Sequence, residues 1–272
     1  MSVRVYTGPH AARRRGRHAS SLRAVPIVMA LLTIALQIAW PLTSGAARDV
    51  LTALTVVVFF LASATHALVV RGAPWAAGWL LASAGIGLAA EVIGTRTGAL
   101  FGNYAYSGKL GPELLGVPLV IPLAWAMMSY PCLLAARRLV RSPLATALVA
   151  AIALASWDLF LDPQMVTQGA WAWTAATYQH LIGIPGVPWQ NFAGWLCVSF
   201  VLMLVLDRLP RRNHDGAVPP DGTPALLLTW TYASSVLLNV GFEHRPGVAA
   251  WGGVVMGLVV VPYLVRVWVD RP

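Results

Sequence analysis

"PLATALVAAIALASWDLFLDPQMV", residues 143–166, decides the fold. From Pro143 to Ser156 it carries no charge, and its apolar run reaches Leu161. A membrane-crossing helix needs about 20 mostly apolar residues, and 143–161 meets that need. The stretch then closes on two aspartates, Asp158 and Asp162. Residues at i and i+4 share a helix face, so the two carboxyl groups point the same way. Side by side they repel, and each costs about 2.5–3.5 kcal/mol at a membrane-helix centre. A helix that carries them needs a chemical reason.

The rest of the chain repeats the apolar pattern. It has 272 residues, of which 58% are hydrophobic and 11% charged, with a mean hydropathy of +0.68. A soluble domain carries about 25% charged residues, so the composition describes an integral membrane protein. Eight stretches have spanning character: 24–40, 49–70, 74–95, 117–136, 143–161, 189–206, 224–241 and 248–268. Seven spans is the alternative count, since the last two stretches are the weakest. Backbone polar groups must be satisfied within lipid, so the spans are helices. The fold class is an all-α, polytopic membrane helix bundle of about eight transmembrane helices. A basic tail, 1–23, is expected to be disordered and cytoplasmic, ahead of a single membrane domain, 24–272. The run 24–40 is taken as the first span rather than a cleaved signal peptide, because further spans follow it.

Positive charge sets the orientation. With the N-terminus inside, six basic residues of the tail, Arg71, Arg137, Arg138, Arg141, Arg208, Arg211, Arg212, Arg266 and Arg271 all fall on the inner side. Arg48, Arg96, Lys109 and Arg245 fall outside. Eight spans with both termini cytoplasmic, in the cell membrane, obey the positive-inside rule. The charges are scattered in small groups, which argues for topology signals and against nucleic-acid binding. Glu91, Glu113, Asp158, Asp162 and Glu243 sort the opposite way, to outer span ends and outer loops. The outer connection 162–188 holds Trp171, Trp173 and Tyr178 but no Lys or Arg. Polar chemistry is concentrated at one face.

Glu91 and Asp158 lie deep enough to demand explanation. Glu91 either pairs with Arg96 as an interfacial anchor or is a buried acid. Asp162 precedes Pro163, an expected helix end, so it either sits in water at a turn or pairs with Asp158. A pair sharing one proton offers one acid and one base, as general acid–base chemistry requires. Gly94, Gly98 and Gly102 would permit close approach of backbone or ligand. Trp125, Trp157, Trp171, Trp173, Tyr104 and Tyr106 form either interfacial belts or an aromatic groove that could steady a cation. Asn103 and Asn191 are the amides suited to hold a water. Cys132 and Cys197 lie in apolar stretches, and His66, His180 and His244 lack metal-ligand spacing, so no metal is expected.

Three stretches together carry a family resemblance: "EVIGTRTGALFGNYAYSGKLGPELLGVPLVIPLAW" at 91–125, "WDLFLDPQMVTQGAWAW" at 157–173 and "GVPWQNFAGW" at 186–195. The chain resembles the membrane carotenoid biosynthesis proteins, whose best-understood members are carotenoid 1,2-hydratases of the CruF type. The resemblance covers roughly 50–206 closely and the last two spans loosely. It departs at "GIPGVP", 183–188, where a second Gly–Pro unit precedes the aligned stretch. The resemblance implies cofactor-free addition of water across the terminal double bond of an acyclic ψ end group, giving a tertiary alcohol. The implied partners are a lipid-soluble polyene, water, membrane lipid and other membrane enzymes of the pathway.

That chemistry needs an acid to protonate the alkene, an aromatic face or carboxylate to steady the tertiary cation, and a base for the attacking water. From the residues, Asp158 or Glu91 is the expected acid, with Asp162 and Asn191 placing the water. Trp157, Trp171 and Tyr104 are expected to line the end-group pocket. Cyclisation of the same end group, prenyl transfer suggested by "DLFLD", and a non-catalytic carotenoid-binding or assembly subunit are the competing functions.

Overall fold

The computed structural model describes residues 9–174, 179–210 and 221–270, with side chains from residue 24 onward. Eight helices follow in order: α1 Pro9–Ala39, α2 Gly45–His66, α3 Ala73–Thr97, α4 Val120–Leu139, α5 Pro143–Gln168, α6 Trp189–Asp207, α7 Gly222–Gly241 and α8 Pro246–Val269. Seven apolar stretches among the described residues are long enough to cross a membrane, one on each helix except α7. α7 matches the others in length but carries Thr229, Thr231, Ser234, Ser235 and Asn239. The bundle is thus the polytopic all-α fold expected. The α1 backbone begins at Pro9, earlier than the stretch 24–40, and the apolar span Ala24–Leu42 takes in its later part and the 3-10 turn Trp40–Leu42.

α4 and α5 form the centre. In α4, 78% of the most apolar window is buried, against 22% in the first span. Yet α4 is among the less apolar of the spans. This is the expected order in lipid, where outward faces must be hydrocarbon and inner faces need only pack. α4 contacts α2, α3, α5, α6, α7 and α8, and α5 packs most extensively along α6.

α5 corrects the sequence expectation at its end. The helix does not stop before Pro163 but continues to Gln168, capped by Gly169 in the left-handed region at φ 69. Pro163 removes one backbone donor, which a helix buried among neighbours tolerates. Asp162 is therefore held inside the bundle, 3% exposed, rather than in water at a turn.

Four short strands decorate one end. β1 (Tyr104–Tyr106) pairs antiparallel with β4 (Trp171–Trp173), while β2 (Glu113–Leu114) and β3 (Val117–Pro118) form a hairpin that delays the start of α4. The β1–β4 register sets Tyr104 opposite Trp173 and Tyr106 opposite Trp171. This ladder clasps the α3–α4 and α5–α6 connections together. The opposite end is tied by arginines: Arg71 to Asp221 at 2.7 Å, Arg137 to Asp207 at 2.8 Å and Arg138 to Asp270 at 3.3 Å.

Candidate active site

Side chains alternate across a strand. In "YAY" and "WAW" the alanines are exposed, and the aromatics turn inward to the helix ends. The clasp thus delivers four rings above the carboxyl groups of α3 and α5. Glu91, 4% exposed, accepts from the hydroxyls of Tyr104 and Tyr106 (2.7 Å for Tyr106) on Oε2. The Trp125 indole donates to Oε1 at 3.1 Å. Gly87, one turn before Glu91, makes that last bond possible. A Cβ there would lie 2.6 Å from the Trp125 ring.

Asp158 and Asp162, 1% and 3% exposed, share Asn191. Its amide donates to Asp158 Oδ2 at 2.8 Å and also to Asp162 Oδ2. The Trp171 indole donates to Asp162 Oδ1 at 3.0 Å. The two carboxyl groups also interact directly. Four carboxyl oxygens thus meet three N–H donors, and Asp158 Oδ1 is the buried oxygen without one. A single proton held by the pair satisfies that oxygen, since a carboxylic acid donates where a carboxylate only accepts.

Glu91 and Asp162 face each other across a cavity of about 30 Å³, enough for a water molecule. Asn191, Tyr104, Tyr106, Trp125, Trp171 and Trp173 complete most of its wall. Burial, and then the neighbouring Glu91 carboxylate, pushes both tyrosine phenols above their usual range. They therefore remain protonated donors at neutral pH.

Nine of the expected residues are thus brought together: Glu91, Asp158, Asp162, Asn191, Tyr104, Tyr106, Trp125, Trp171 and Trp173. None of Glu91's hydrogen bonds involves Arg96, so the anchor alternative does not describe it. Two of the expected residues lie outside this chamber. Asn103 is exposed and does not line the cavity; its backbone carbonyl accepts from Thr174 across the clasp. Trp157 also lies outside the cavity, because it sits on the adjacent face of α5, against a separate cleft. Tyr178 lies outside the described residues. Trp195 was not anticipated. It stacks on Trp125 with centroids 4.0 Å apart and lines the cavity. Its spacing of four from Asn191 was the available signal.

Fold and site together define a polytopic membrane protein with a buried, water-sized acid chamber at one end. The chain belongs to the carotenoid biosynthesis protein family, whose profile matches residues 50–262. It is 34% identical over 158 residues to the bisanhydrobacterioruberin hydratase of Haloarcula japonica. That alignment covers 52% of this chain and 50% of the relative, so the chain matches about half of the relative's length. No solved structure matches the chain.

Proposed function

We propose that the protein adds water across the terminal C=C bond of an acyclic carotenoid end group, giving a tertiary alcohol. The observation that carries this reading is the chamber itself. Two buried carboxyl groups, Glu91 and Asp162, line a space for water walled by aromatic faces, with Asp158 joined to Asp162 through Asn191, and none of the three has a cationic partner among the described residues. The hydratase name of the Haloarcula relative points the same way.

The steps balance without an oxidant or reductant. The Asp158–Asp162 pair supplies its proton through Asp162, the member facing the chamber, to the less substituted alkene carbon. The π electrons form the new C–H bond, leaving a tertiary cation on the neighbouring carbon. Trp125, Trp171 and Tyr104 present ring faces, and Glu91 its negative charge, to steady that cation. Water held by Asn191 and the carboxylates then donates its oxygen lone pair to form the C–O bond. The proton it releases returns to the aspartate pair, so one water is added and the acid is restored.

In this reading residues 24–272 act as one domain of the cell membrane behind a basic cytoplasmic tail. The polyene arrives from lipid, and other membrane enzymes of the pathway supply it. The test is expression of the chain in cells that accumulate lycopene, followed by mass analysis of the pigments. The expected product is heavier by one water. An isomer of unchanged mass with an altered spectrum would favour cyclisation. Unaltered lycopene alongside folded protein would contradict the proposal for this substrate.

A further inference from the structure

The acid chamber is too small for its proposed substrate. About 30 Å³ admits water, whereas ligand sites generally enclose about 300–1,000 Å³. A second cavity of about 260 Å³, close to that range, lies between α1, α2, α5 and α7, with Met127 of α4 in its wall. The two spaces share one wall residue, Leu161. The helix period explains why. Asp158 and Asp162 lie on one face of α5, while Trp157 and Leu161 lie on the adjacent one. Leu161 stands at the boundary, half-buried, between the large cleft and the carboxyl groups.

The cleft is built to receive a chain from the bilayer. Its rim carries Ile38, Leu237 and Phe242, which are 53%, 62% and 53% exposed. Ile38 lies on the first span, where an apolar side chain so exposed faces hydrocarbon, and Leu237 and Phe242 sit at the end of α7 beside it. Inside, Trp40, Trp157 and Trp230 supply flat apolar surface. The α7 wall carries Thr231, Ser234 and Ser235, side chains too small to fill the space. A chain lying in this cleft has its end against Leu161, one side chain away from the acid chamber.

We infer that this cleft holds the conjugated chain of the substrate, entering sideways from lipid, and that Leu161 is the partition its end group passes to reach the acid chamber. The inference rests on the hydration reading and adds to it where the polyene lies and which side chain must move. Leu161 is a positioning residue, since it takes no part in the bond changes.

The test uses the full chain purified into lipid nanodiscs, with lycopene as the probe. Ser234→Cys, in a Cys197→Ser background, is labelled with a bulky maleimide after folding. This fills the cleft without demanding that an overpacked chain fold. Bound lycopene per chain should fall by about tenfold or more against the unlabelled variant. Leu161→Trp should behave differently, keeping lycopene bound within about twofold while hydration turnover falls by about tenfold or more. Unchanged lycopene binding after labelling would overturn the inference, as would hydration at the parent rate with the cleft filled. Loss of bound phospholipid, with lycopene retained, would assign the cleft to a lipid acyl chain instead. Lycopene that is displaced by the label but never hydrated by the parent would leave the cleft standing and remove the hydration reading.

Discussion

The two ends of this bundle treat buried acid in opposite ways. At the arginine-rich end, Asp207 and Asp221 each face a guanidinium within 2.8 Å, and both sides of each pair are largely shielded. At the strand-bearing end, Glu91, Asp158 and Asp162 are still more buried, yet their donors are indoles, phenols and one amide. Glu243, nearer the surface there, does pair with Arg245. A paired charge is inert and fastens helices. A carboxyl group held only by neutral donors keeps its proton chemistry available, and desolvation makes that arrangement costly to maintain. The molecule fastens helices with paired charge at one end and holds Glu91, Asp158 and Asp162 without a cationic partner among the described residues at the other.

Neutral substitution should separate the two ends most sharply. Asp162→Asn is expected to lower hydration turnover by about 10²–10⁴-fold, the usual contribution of general acid–base catalysis. Its thermal unfolding should stay near that of the parent, because the amide keeps an acceptor oxygen for Trp171 and offers an N–H to the Asp158 carboxyl group. Asp207→Asn should do the reverse. Turnover of the folded protein is retained, while stability falls by about 3 kcal/mol from loss of a buried pair. The loss sits at the low end because Arg137 also donates to the carbonyls of Leu206, Asp207 and Leu209. If both variants melted early and both kept turnover, the contrast would collapse.

Smaller changes sharpen the same contrast. Tyr106→Phe keeps the ring against Trp171 but removes one of three donors on Glu91. A hydrogen bond to a charged group contributes about 1.5–3 kcal/mol, so turnover should fall roughly tenfold or more, with unchanged protein yield. Gly87→Ala should shift Trp125 off Glu91, reducing turnover less and altering indole fluorescence.

The least effect is a pH signature. The raised phenols of Tyr104 and Tyr106 keep the clasp at full strength below the ordinary tyrosine value of about 10. Above it the unfolded chain ionises first, so stability declines as pH rises further. Just above that pH, while the protein is still folded, tyrosinate absorbance should be the same in the parent and in the Tyr104→Phe, Tyr106→Phe double variant. A signal lost in the double variant would place those phenols in water.

Much of this was legible in the residues. Apolar run lengths gave the helices, and the spacing of Asp158 and Asp162 gave their common face. Local rules failed where tertiary contacts outweighed them. Pro163 suggested an end to α5, but flanking helices shelter the broken backbone position. Asn103 looked like a water ligand by type alone, and its exposed place in the clasp follows from a strand pairing that no local pattern reveals. The alternation in "YAY" and "WAW" is a strand signal in plain view. Yet it gains meaning only once two connections some sixty residues apart are joined at Tyr106 and Trp171. The cleft behind Leu161 arises from five helices and has no signature in any one of them.

The most direct measurement of the central claim is oxygen-18 incorporation from labelled water into lycopene by the purified protein, compared between the parent and Asp162→Asn. The account predicts a labelled tertiary alcohol from the parent and almost none from the folded variant. Equal labelled product from both, with Glu91→Gln also fully active, would show that the carboxyl groups at the strand-bearing end do not carry the chemistry.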